Sequence, residues 1–80
     1  MSDFTDLPKV IGLKQTMKQL KADNVLKVVV AEDTDEPLKK QIVDACEKGS
    51  VPVTFCKSKT VLGKASGIER GAAVVALLKD

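Results

Sequence analysis

From Leu13 to Ala22 the apolar residues Leu13, Met17 and Leu20 recur at i, i+4, i+7, which places them on one face of a helix. Lys14, Lys18 and Lys21 repeat that spacing on an adjacent face. Asp23-Asn24 ends the helix, and Asn24 is the residue expected to take the left-handed conformation there. Val25 to Ala31 changes the period: it is a β-branched, nearly continuous apolar run, as a strand covered on both faces requires. Glu36 to Lys48 returns to helical spacing, with Leu38, Ile42, Val43 and Ala45/Cys46 on the apolar side. Asp35 suits its N-cap, Pro37 its first turn, and Gly49 its C-terminal stop. Val51 to Phe55 reads as a second strand, with Pro52 near its start, where a missing N–H is tolerated or marks an edge.

Ser58 or Thr60 caps a third helix carrying Val61, Leu62 and Ala65 and stopping at Gly67. Ile68-Glu69-Arg70-Gly71 is a connecting loop, and Ala72 to Leu78 a last apolar strand. Val10-Ile11-Gly12 is a very short apolar stretch before the first helix. Residues 1–9 are polar and leave open a short first helix or a frayed end. The alternation (β)-α-β-α-β-α-β predicts an α/β fold, a central sheet with helices on both faces. At 80 residues the chain is expected to make one domain, with little core to spare for a deep active site.

The net charge of +2 carries no message by itself, but its distribution does. Residues 32–36 hold Glu32, Asp33, Asp35 and Glu36 with no base. Residues 57–70 hold Lys57, Lys59, Lys64 and Arg70 against Glu69 alone. A polarised surface of this kind steers a polyanion even when the total is modest. The chain has no histidine, which excludes a Cys/His zinc site and histidine acid–base chemistry. Cys46 and Cys56 follow no metal or redox spacing and read as small buried hydrophobes. No secretory signal and no apolar run of roughly 20 residues is evident, so a cytoplasmic protein with no membrane partner is expected.

Three segments invite a chemical reading. Carboxylates after a central strand, here Glu32 and Asp33, stand where open α/β sheets bind ligands, so a phosphoacceptor or metal site is one reading and a solvated loop the other. Gly63-Lys64 fails as a phosphate-cradling loop, because residue 58 is Ser where glycine is required and Lys64 is followed by Ala65. The third segment is basic. Gly12 precedes a helix whose first turns carry Lys14, Gln15 and Lys18, and a helix N-terminus offers free N–H groups to a phosphate or a base edge. Lys and Gln there can donate to guanine acceptors. A wet lysine face accounts for the same residues.

Four ordered pieces carry a resemblance: Gly12-Leu13-Lys14-Gln15-Thr16 with Lys18, Val28-Val29-Val30-Ala31-Glu32-Asp33, Val51-Pro52-Val53, and Leu62-Gly63-Lys64-Ala65-Ser66-Gly67-Ile68-Glu69. Together they resemble the kink-turn RNA-binding, ribosomal-protein-like family of the archaeal large-subunit proteins "seven-Ae" and "thirty-e", and within it the short bacterial YbxF-type members. The resemblance runs from about Lys9 to Leu78. It implies a three-layer α/β/α sandwich with a central mixed four-stranded sheet, and a non-enzymatic protein that needs no cofactor; the compact single domain and the missing dimer signature lean toward a monomer. The implied partner is structured RNA with a kink-turn, a sharp bend at a bulge beside tandem sheared G·A pairs. Ribosomal RNA, a riboswitch or an RNase-type RNA can contain one, and the ribosome is an alternative setting in which RNA is met only within an assembly.

Carried over by position, the implied RNA-binding residues are Gly12, Leu13, Lys14, Gln15 and Lys18 at the helix start. Ile68, Glu69, Arg70 and Gly71, with Ala72 beside them, form the loop that covers the bulge. The chain departs from the family where many members have Asn and Glu at the positions of Lys14 and Gln15. Gln15 accepts only through an uncharged amide oxygen, which weakens the contact with guanine N–H groups. Arg70 stands where an apolar residue is common. It can stack on an extruded base or pair with phosphate, and a loop charge without a partner is the competing reading.

Overall fold

The computed structural model describes residues 8–79. In chain order the elements are β1 (Lys9–Ile11), α1 (Leu13–Lys21), β2 (Val25–Ala31), α2 (Glu36–Lys48), β3 (Val53–Cys56), α3 (Lys59–Ala65) and β4 (Val74–Leu78). The expected alternatives for residues 1–9 fall outside the described residues as far as residue 7; Lys9 opens β1. The strands lie in the order β1-β4-β2-β3. β4 runs antiparallel to both β1 and β2, while β2 and β3 are parallel, so the sheet is mixed. A helix joins each successive pair of strands, and β4, arriving from α3, enters antiparallel between β1 and β2.

Strand alternation divides the core between two faces. Val28 and Val30 of β2, with Val74 and Ala76 of β4, meet Ile42 and Cys46 of α2, and Leu13 and Leu20 of α1 pack against them. Val29 and Ala31, with Val75 and Leu77, meet Leu62 of α3 on the other face, joined by Ile11, Cys56 and Ile68. β2 is therefore covered on both sides, as its unbroken apolar run predicts. Each fully buried Val, Ile or Leu contributes about 1.5–3 kcal/mol relative to exposure, and among the described residues the core is entirely aliphatic apart from Cys46. At the start of β2 a register irregularity between Val25 and Lys27 breaks the alternation and leaves Leu26 exposed.

Several boundaries differ from expectation, each for a local hydrogen-bonding reason. The left-handed residue after α1 is Asp23 (φ 55°), not Asn24, whose side chain instead donates to Gln19 Oε1 at 3.0 Å. After α2 the left-handed residue is Ser50 (φ 57°), one beyond Gly49. β3 begins at Val53 rather than Val51, because the Val51 N–H is spent on the Cys46 carbonyl at the end of α2, at 2.8 Å. β4 begins at Val74 rather than Ala72, because the Ala72 N–H bonds to Lys59 O of α3 at 3.0 Å. Asp35 occupies the N-cap of α2 without a side-chain cap bond, whereas Ser58 caps α3 by accepting from the Val61 N–H at 3.2 Å. Among the described residues no helix is long and apolar enough to cross a membrane.

Candidate nucleic-acid interface

β1 passes into α1 with a single residue between them. Gly12 takes φ 103° and ψ 157°, in a region that a residue with a Cβ rarely adopts, and its N–H bonds to Val74 O at 2.9 Å. This turn lets α1 begin directly after β1, beside the start of β4. Gly12 has no side chain to cap the helix, and the first turn contains no acid. The first intrahelical bond is Thr16 N–H to Gly12 O at 3.0 Å, so the amides of Leu13, Lys14 and Gln15 lie upstream of the ladder and face outward as donors. Around that end Lys14, Gln15 and Lys18 are exposed. Leu13 is half-buried and packs into the core, so only its backbone is free for a ligand. Thr16 is fully buried, and its Oγ1 lacks a partner among the described residues.

The second candidate segment is a loop fastened to α3. Gly67 (φ 84°) turns the chain, Ile68 N–H bonds to Gly63 O at 3.0 Å, and Ala72 N–H returns to Lys59 O. Gly63 lies so close to the loop that the Arg70 carbonyl oxygen occupies the place a Cβ would take. A Cβ on Gly71 would come within 3.1 Å of Lys59 Cβ. Ile68 is half-buried against the α3-side core and Ala72 is buried, while Glu69, Arg70 and Gly71 are exposed. The loop thus has a fixed backbone and presents Glu69 and Arg70 outward. Gly63, which fails as part of a phosphate-binding motif, instead permits the close approach of helix and loop.

These two segments, far apart in sequence, meet at one end of the sheet. Val74, which accepts from Gly12, lies two residues after Ala72. The adjoining strand ends are tied to the same place: Ala31 N–H bonds to Ala73 O at 2.9 Å, and Glu32 N–H to Cys56 O at 2.8 Å. Lys57, Lys59 and Lys64 are exposed beside the loop, and among the described residues none of their ammonium groups, nor the Arg70 guanidinium, has an ion-pair partner. Their clustering in sequence was visible, but their position beside the loop depends on the tertiary bond from Ala72 to Lys59.

The acidic segment makes local structural contacts. Asp33 Oδ1 accepts from the Lys59 N–H at 2.9 Å and so serves the start of α3. Glu36 pairs with Lys39 at 3.2 Å. Among the described residues no group of three or more potential metal ligands is assembled. Both cysteines are free thiols. Cys46 is buried, and loss of hydration pushes its pKa up, so it behaves as the small apolar group its position suggests. Cys56 is half-buried at the end of β3.

The family model described as ribosomal protein L7Ae/L30e/S12e/Gadd45 matches residues 9–80. Proteins from Staphylococcus aureus strains JH9 and N315, each called an RNA-binding protein, are 43% identical over 70 residues, covering 88% of this chain and 83% of theirs. Among solved structures, a Giardia lamblia 15.5kD RNA binding protein superposes with a TM-score of 0.81 at 27% identity, over 90% of this chain and 61% of that one. A protein of unknown function from Bacillus halodurans C gives a TM-score of 0.83 at 24% identity, over 89% and 71% of the two chains, and shares the fold.

Proposed function

From a chain that belongs to the ribosomal protein L7Ae/L30e/S12e/Gadd45 family, we propose a non-enzymatic RNA-binding protein that recognises kink-turns and holds them in the bent form. The observation that carries the reading is the bond from Gly12 N–H to Val74 O, which sets an uncapped helix N-terminus beside a rigid loop at one end of the sheet. A regular A-form major groove is too deep and narrow for side chains to read, so a surface of this shape suits an RNA whose groove is opened by a bend. The α1 end enters that groove. Lys14 and Gln15 meet purine edges at the G·A pairs, Lys18 meets phosphate, and the free amides of Leu13, Lys14 and Gln15 lie behind them, on the turn that Gly12 makes. The Ile68–Gly71 loop covers the bulged nucleotides, with Arg70 stacking on an extruded base or pairing with phosphate, and Ala72 holding the loop to the core.

The task assigned to these residues is conformational selection. A free kink-turn exchanges between extended and bent forms, and a protein complementary only to the bent form shifts the balance by its differential affinity. Moving a population from 1:99 to 99:1 takes about 10⁴-fold preference, or roughly 5.5 kcal/mol. A few charge-assisted contacts at about 1.5–3 kcal/mol each reach that figure, and no covalent step is needed. The test is energy transfer between dyes on the two ends of a kink-turn duplex. Protein added without magnesium is expected to bring the ends together; an unchanged transfer efficiency at saturating protein defeats the proposal.

A further inference from the structure

Phe55 is 51% exposed, on the edge strand β3. It pairs in register with Val30, so its ring projects on the face of the sheet that carries α2. With Glu32 and Lys39 it lines a shallow depression of about 280 Å³. That is below the roughly 300–1,000 Å³ of small-molecule clefts, enough for one flat ring and too little for a whole cofactor. The depression adjoins the end of the sheet where the helix start and the loop meet, because Glu32 N–H bonds to Cys56 O, the residue after Phe55.

Its polar groups are arranged in a definite order. Lys39 Nζ donates to Glu32 O at 3.0 Å and pairs with Glu36 Oε2 at 3.2 Å, which fixes the ammonium in the wall and leaves one of its three protons to spare. The exposed Glu32 carboxylate has no partner among the described residues. An aromatic side chain, one hydrogen-bonded donor and a bidentate acceptor therefore line a shallow, open depression wide enough for a base. We propose that Phe55, Lys39 and Glu32 form an accessory subsite for a guanine base in single-stranded RNA flanking the kink. The ring stacks on Phe55, O6 accepts from Lys39, and N1–H and N2–H donate to Glu32. Uracil has one donor between two acceptors and would leave a carboxylate oxygen facing a carbonyl. The inference rests on the RNA-binding reading and adds a base-specific contact to it.

Guanosine monophosphate and uridine monophosphate, titrated separately into the isotopically labelled full chain, test the subsite through the NMR signals of residues 32, 39 and 55. Guanosine monophosphate is expected to shift these signals and to bind about fivefold or more tightly than the uridine nucleotide, because only guanine offers two adjacent N–H donors to the Glu32 carboxylate. Phe55→Leu removes the binding without loss of fold, since the ring is half-exposed. Glu32→Gln keeps the stacking and erases the guanine preference. Equal binding of the two nucleotides, or shifts confined to residues elsewhere, overturns the proposal. A blunt kink-turn duplex lacking single-stranded guanosine, measured in parallel, keeps the two readings apart. If it binds normally while guanosine monophosphate shows no preference, only the subsite falls.

Discussion

Gly63→Ala sets two effects of opposite sign against each other. Position 63 lies inside α3, where alanine is favoured over glycine by about 1 kcal/mol on helix propensity alone. An alanine methyl would, however, fall on the Arg70 carbonyl oxygen. The atom struck belongs to the main chain, in a loop fixed by the Ile68 N–H bond to Gly63 O and the Ala72 N–H bond to Lys59 O, so it cannot swing aside as the end of a long side chain could. Overpacking in such places costs about 1–3 kcal/mol, and a clash with fixed backbone belongs at the upper end. The net expectation is a loss of about 2 kcal/mol, or roughly 8–16 °C in Tm for a domain of this size. RNA affinity should fall beyond what the lost stability explains, because the displaced atoms are those of the loop assigned to the bulge. Thermal unfolding monitored by circular dichroism, with RNA titration at a temperature where both proteins are folded, measures both effects. Thr60→Ala, exposed in the same helix, serves as the propensity control and should be neutral or slightly stabilising. A Gly63→Ala protein as stable as the parent, with unchanged RNA affinity, would refute the close-approach argument.

Lys18→Ala should weaken RNA binding and lower the slope of log K against log salt by about one, measured by titration at several ionic strengths. Gln15→Ala should cost about 1–3 kcal/mol on an RNA with tandem G·A pairs and much less on one without them; an equal loss on both would show that Gln15 does not read a base. In the native protein a thiol reagent near neutral pH should label Cys56 alone, with Cys46 reacting only after unfolding. Because burial raises the Cys46 pKa, its contribution to stability is complete below the ordinary thiol value of 9.0 and is lost as pH rises through the folded value. Urea midpoints measured upward from pH 8 should therefore decline less steeply in Cys46→Ala than in the parent.

Periodicity located the elements well where side chains decide the structure. The β-branched run Val25–Ala31 became β2 with its ends unchanged, and Glu36–Lys48 became α2. It missed boundaries where a backbone N–H is taken by a tertiary partner. Val51 and Ala72 have strand-like side chains, yet their amides belong to the ends of helices. The placing of Lys14, Gln15 and Lys18 around a helix end that begins at Gly12 was legible, because a glycine before a basic, acid-free first turn has a local meaning. The helper role of Gly63 and the position of Lys59 beside the loop were not, since both depend on how α3 folds back against residues 70–72. Asp33 allowed a chemical reading beside a solvated-loop one, and the structure gives it a third role, accepting from the first amide of α3 across 26 residues of sequence. The side chains of Leu13 and Ala72 pack on the core, so what these two positions offer outward is chiefly backbone.

The central claim is selective recognition of a bent RNA, and a gel-shift titration in magnesium-free buffer tests it most directly. One duplex carries a simple kink-turn; the other is identical except that Watson–Crick pairs replace the tandem G·A pairs. The account predicts a saturable complex with the first and only salt-sensitive, non-specific association with the second. Equal binding to both duplexes, or binding to neither, would contradict it.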